Sequence, residues 1–449
     1  MYRVILFFIV FILSACSTYQ DQNLFYQQEL FSKKCDRNFF EKQLEKINHS
    51  NDTIFKGLNT GYIARDCKDF NLSNAIFDQV ENSYKFDVDL KSTIHKNAEL
   101  ITSTLINDGI NDYQGAWYER TMVNVYKGLN FMSLKDFENA RVEFNRALIR
   151  QEMAKEYFAS QIEQMRKKAE KEENFKQNIE NNIKLISNQY ENLFKEFRAQ
   201  KNYTNAYVTY ISSIFFFIDK DYRKANDLLK EVYAAYNDNE EIQKEFKVFN
   251  RYSNALNPKK LEKYIFVIYE NGLSPALDEF SLTLPFIFDG YIATASVALP
   301  TLKKRDESYV YLNISNNTDS MKTSNIFDFD EVVASEFKEE LTAKITKSLL
   351  SSIFKASLNV AVAKNDESGI LSLATNVFGV VTTRSDLRIW NFLPKNIQIS
   401  MIKNEGLIKI QDDSGNLIYS DFLDQNKSIL ILVRSFNPII PSQIYKIEN

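Results

Sequence analysis

The chain has 449 residues, 44% hydrophobic and 25% charged, with a formal net charge of −4. That length allows two or three domains, and the composition is that of a globular protein. The mild acidity argues against a nucleic-acid binder, the two histidines (His49 and His95) form no pair at zinc-ligand spacing, and eleven scattered glycines build no phosphate loop.

Residues 1–16 read as a targeting segment. Arg3 is its positive end, and Val4 to Leu13 is an apolar run too short for a comfortable membrane span. Leu13-Ser14-Ala15-Cys16 resembles a bacterial lipobox, in which Cys16 is lipidated and becomes the new N-terminus. The alternative is an ordinary secretory signal or an N-terminal anchor. Each acyl CH₂ buried in a bilayer contributes about 0.8 kcal/mol, so several chains hold a protein firmly. Ser17 in place of Asp resembles the sorting signal for the outer membrane. With Cys16 used, Cys35 and Cys67 remain, and in an oxidising periplasm an even pair reads as a disulfide. Two buried free thiols are the other option.

Residues 17–35 are polar and read as a tether. From 36 to 256 the periodicity is helical and proline is absent. Within this stretch, 121–154 places Gly128, Phe131, Phe137, Ala140, Phe144 and Ala147 at the spacing of one tetratricopeptide repeat, a 34-residue helical hairpin. Weaker copies fall at 206–239 (Ser213, Phe216, Tyr222, Ala225, Leu229, Val232) and 54–87 (Gly61, Phe70, Ser73, Phe77, Val80). A generic helical bundle is the plainer alternative. Residues 153–200, rich in Glu, Lys, Gln and Asn, read as a long solvated helical hairpin.

At Asn257-Pro258 the period changes from 3.6 to 2. Strands are predicted at 264–269, 281–284, 291–298, 308–314, 397–402, 407–410, 417–420 and 429–433, with turns at Glu270-Asn271-Gly272 and Gly415-Asn416. Between them Val333, Phe337, Leu341, Ile345 and Leu349 mark an amphipathic helix to about 363, and 370–381 reads as a second apolar helix of a buried hairpin. The fold class is therefore an all-α repeat domain (36–256) followed by an α+β domain (257–449).

Three stretches resemble a family of uncharacterised bacterial lipoproteins with repeat-like helices and a mixed C-terminal domain. They are Gly115–Arg120, Tyr269–Pro275 and Asp386–Trp390 with Leu393-Pro394. The resemblance implies a fold and an envelope location but no reaction.

Two candidate surfaces emerge. In a tetratricopeptide hairpin the first helix lines a groove, which places Tyr207, Tyr210, Ile214 and Phe217, and Met122, Val125, Leu129 and Met132, on that lining. So apolar a groove calls for a cover, either a partner or the chain's own helices, such as 153–200. Asp386, Arg388 and Trp390 alternate, so a strand would align them as a ligand surface, with an Asp–Arg pair framing a buried Trp as the plainer reading. Glu119 and Arg120 read as an inter-helix ion pair. The expected function is a lipid-anchored outer-membrane scaffold that binds another envelope protein, with no cofactor and no catalysis. A regulator of a cell-wall synthase, or a cell-wall enzyme using Glu119 or Asp386, are the rivals.

Overall fold

The computed structural model describes residues 19–49, 52–84, 113–169, 173–199, 205–288, 291–341, 344–345, 348–349 and 385–449. The lipobox, the predicted end of the amphipathic helix at 350–363 and the apolar stretch at 370–381 lie outside them. The helices are α1 (Tyr19–Ser32), α2 (Arg37–Asn48), α3 (Thr53–Asp66), α4 (Phe70–Ser83), α5 (Trp117–Ser133), α6 (Phe137–Ala169), α7 (Glu173–Glu196), α8 (Ala206–Ile218), α9 (Tyr222–Ala235) and α10 (Glu240–Ser253). Strands begin at β1 (Tyr264–Asn271), so helices give way to sheet beyond Asn257-Pro258.

Three helical pairs, α3/α4, α5/α6 and α8/α9, share one turn. Lys68, Lys135 and Lys220 each adopt a left-handed φ, of 61°, 63° and 67°. The N–H of the following aspartate then donates to a carbonyl five residues back: Asp69 to Ala64, Asp136 to Phe131 and Asp221 to Phe216, at 2.9–3.0 Å. This closes the first helix with a Schellman-type bond. The same aspartate caps the second helix, accepting from Leu72, Asn139 and Lys224 N–H. Inside the first two pairs, glycine permits contact. A Cβ on Gly128 would stand 2.7 Å from the Phe144 ring, and one on Gly61 2.6 Å from Phe77.

The reading of 17–35 as a tether is corrected at 19–32, which form α1. Its Tyr26 and Leu30 are buried, and Asn23 exchanges hydrogen bonds with Leu387 and Asn391. Its apolar residues are spread around the helix, so no stripe announces it. The Cys35–Cys67 disulfide (Cα–Cα 5.8 Å) joins the loop after α1 to the end of α3.

The central sheet runs β11 (Gln443–Glu448), β10 (Ile429–Ser435), β1, β7 (Asn396–Lys403), β6 (Ser324–Asp328), with β1 and β10 parallel and the other pairs antiparallel. A second sheet runs β5 (Ser320–Lys322), β4 (Asn313–Ser315), β8 (Leu407–Gln411), β9 (Leu417–Phe422). Alternation sorts β1 between two cores: Phe266 and Ile268 join the helical core, while Ile265, Val267 and Tyr269 join the core with the second sheet. Burial on both faces explains the unbroken apolar run at 264–269. The result is three layers: helices, five-stranded sheet, four-stranded sheet. Strands β2 (Ala276–Phe288) and β3 (Tyr291–Lys303) make a separate hairpin.

Several local readings change. Glu270 and Asn271 belong to β1, so the turn narrows to Gly272, where φ is +61° and a Cβ would meet the Asp306 carbonyl at 2.7 Å. Of 308–314 only 313–314 are strand, and β5, β6 and β11 were not read from sequence. A helix, α11, occupies 329–341, and Val333, Phe337, Leu341, Ile345 and Leu349 are all buried, as their spacing requires.

Candidate functional site

The groove lining is not open. Tyr207, Tyr210, Ile214, Phe217, Met122, Val125, Leu129 and Met132 are each 0–2% exposed. The chain's own C-terminal sheet covers them: α5 lies on β11 and α8 on β10. Phe217 meets Phe266 of β1 at 5.2 Å between ring centres, and Tyr207 and Tyr210 meet Phe327 of β6 at 6.0 and 5.3 Å. The expectation of a partner-binding groove is corrected here. The physical reason is mutual: the helical face and the sheet face carrying Phe266, Ile268, Leu430 and Leu432 are both apolar, and each removes the other from water. Of the described residues in 153–200, Tyr190 of α7 packs on Phe280 of β2 and Phe337 of α11.

Asp386, Arg388 and Trp390 lie in an irregular segment rather than a strand, and they form no ligand surface. Arg388 is buried, donating to Asp386 at 2.9 and 2.7 Å and to Asp52, ahead of α3, at 2.8 Å. Trp390 is enclosed by Tyr62, Phe77 and Tyr126, at 5.6–6.1 Å between ring centres. The buried-Trp reading therefore describes the segment, with helices α3–α5 holding the indole.

Glu119 takes its described hydrogen bonds from backbone N–H groups and a tyrosine hydroxyl. Glu119 is fully buried and accepts from Trp390 N–H (2.6 Å), Ala116 N–H (2.9 Å) and the Tyr113 hydroxyl (2.7 Å). Burial pushes its carboxyl up to about 7 despite these donors. Arg120 donates to the Gln114 carbonyl and lies over the Tyr84 and Trp117 rings. Glu336 of α11 accepts from Trp117 and Tyr118 N–H at 2.6 and 3.0 Å, so a C-terminal residue caps α5. Burial raises its carboxyl well above the ordinary range. Both glutamates hold backbone.

The seam also buries Arg434 of β10. Its guanidinium donates to the carbonyls of Glu270, Gly272, Ser435 and Phe392 at 2.7–3.0 Å and to the Tyr62 hydroxyl at 2.9 Å. Glu270, 3.9 Å away, accepts from Tyr207 and Tyr126 at 3.0 and 3.3 Å. Sequence reasoning missed this pair. The available signal was a charge placed in phase with the helix-facing residues of two otherwise apolar strands.

Two adjoining cavities, of about 230 and 280 Å³, share Arg198, Asn325 and Asp328 as walls. They open where the end of α7, the start of α8, β6 and the start of α11 converge. Among the described residues, no group of three or more His, Cys, Asp or Glu is placed to hold a metal ion, and no helix is long and apolar enough to cross a membrane. Comparison with protein-family models, curated proteins and solved structures finds no match.

Proposed function

We propose that this chain is a lipoprotein of the periplasmic face of the outer membrane, anchored through Cys16, and that it serves as a scaffold for another envelope protein. The hairpins at 54–83, 121–154 and 206–235 support a tetratricopeptide-like array, because Gly61, Gly128 and Ser213 recur at one position and Phe77, Phe144 and Leu229 at the facing one. The sequence around Cys16 supports the anchor. With the inner groove occupied by the sheet, the binding surface is the outer face of the array.

One observation carries this reading. Val142, Ile149 and Met153 lie at i, i+7 and i+11 on α6 and are 44%, 60% and 46% exposed. That spacing makes one apolar stripe, roughly 16 Å long at 1.5 Å per residue, and it suits ridge-into-groove packing of a partner helix. A photocrosslinking residue at position 149, in intact envelopes, should give one discrete adduct that disappears when Met153→Glu is added. No adduct, or an adduct indifferent to Met153→Glu, removes the scaffold reading at this face. Cys16→Ser should abolish labelling by an alkyne fatty acid, and retained label removes the anchor.

A further inference from the structure

Glu245 of α10 is 0% exposed. Its Oε1 accepts from the Tyr210 hydroxyl of α8 at 3.1 Å, and its Oε2 has no hydrogen-bond partner among the described residues. One turn earlier on the same helix stands a second carboxylate, Glu241. Both Glu241 oxygens accept from Lys244 at 3.0 Å, and Oε1 also accepts from Met401 N–H of β7. Lys244, the cation nearest Glu245 on its own helix, is therefore already engaged.

The contacts around this carboxyl are apolar. Phe249 of α10 lies 4.4 Å from the Phe217 ring of α8 and 5.8 Å from the Phe266 ring of β1, and Phe246 stacks on Tyr233 of α9 at 4.5 Å. The ionisable groups acting on Glu245 are Glu241 and Lys244 from α10 itself and Tyr210 from α8. Burial raises the carboxyl well above the ordinary carboxylate range, and the Glu241 charge raises it further. Protonated, Glu245 fits this setting. Ionised, it sets a second anion at i,i+4 from Glu241 with one oxygen unmet and no water beside it. Moving α10 away is the change that lets water reach it.

We propose that Glu245 is the trigger of a pH-sensitive latch: α10 stays packed on α8 and β7 while Glu245 holds its proton, and lifts away when that proton passes to solvent. Lifting α10 uncovers the Phe217 and Phe266 rings, so a rise in pH exposes an apolar patch. The sign follows from the raised carboxyl. The contribution that holds α10 is complete at low pH and is lost as pH rises through the folded-state value of Glu245.

The test is amide hydrogen exchange of the full chain, comparing wild type with Glu245→Gln at each pH from about 6 to about 9. Exchange in α10 (240–253) should match between the two at the acid end and become about tenfold faster in wild type at the alkaline end, while exchange in α3 (53–66) stays equal. Lys244→Gln, at a half-exposed side chain, removes a charge that favours the ionised carboxyl, so it should move the release to higher pH. That variant keeps the test decisive if Glu245→Gln fails to fold. An α10 exchange ratio that is flat with pH, acceleration of α3 together with α10, or an unchanged release pH in Lys244→Gln overturns the latch.

Discussion

Replacing Arg434 with methionine tests how the helices and the sheet are joined. The change keeps most of the side-chain volume but removes the donors to four carbonyls and the Tyr62 hydroxyl. It also deprives Glu270, 1% exposed, of its ion-pair partner, leaving Arg65 as the remaining cation acting on it. Breaking a buried pair by removing one partner typically costs about 3–5 kcal/mol, because the remaining charge stays desolvated. Arg434→Met should therefore lose about that much in urea-unfolding free energy. Trp117 and Trp390 are the only two tryptophans, one opening α5 and one in the seam, so their fluorescence reports the joint while far-UV circular dichroism reports the helices. Both signals should move to lower urea together. Adding Glu270→Gln should recover part of the loss, with a coupling energy of at least about 1 kcal/mol in the double-mutant cycle. A cost under about 1 kcal/mol, or additivity of the two changes, would refute the reasoning that this pair fastens the layers.

Three further outcomes follow from the same structure. Cys35→Ser with Cys67→Ser opens a link across 32 positions, and should cost roughly 3–4 kcal/mol in the chain-entropy model, measured by chemical unfolding; an unchanged midpoint counts against it. Gly128→Ala forces a methyl to 2.7 Å from the Phe144 ring and should destabilise by about 1–3 kcal/mol, with Phe144→Leu relieving part of the strain; a neutral Gly128→Ala would show that the hairpin is not closed at this point. The Glu119 carboxyl is raised by burial from 4.5 to about 7, so the folded form keeps a proton that the unfolded chain has released. That contribution is complete below pH 4.5 and is lost as pH rises to 7, so stability relative to Glu119→Gln should fall by about 3 kcal/mol over that window; a flat difference sinks it.

What the sequence determined is what local periodicity encodes. The small-to-large spacing at Gly128 and Phe144 fixed a closed helical pair, since only a residue without a side chain admits the ring. The shift of period after Pro258 marked the change to strands, and the stripe from Val333 to Leu349 marked which helix face is buried. Cysteine parity led to Cys35–Cys67. Periodicity states that a face is buried but never what buries it. Tyr207, Tyr210 and Phe217 read as a groove for that reason, whereas the sheet that covers them begins dozens of residues later. The segment 385–390 alternates like a strand, yet it pairs as one with none of the described residues, and Asp52, Tyr62 and Glu119, distant in sequence, set its path instead. Helix α1 lacks a stripe and is held by Asn23 reaching Leu387 and Asn391. Arg434 and Glu270 stand 164 positions apart, and only the parallel pairing of β1 with β10 makes each the other's neighbour. Contacts of that kind depend on chain closure over long loops, and the tertiary structure alone decides them.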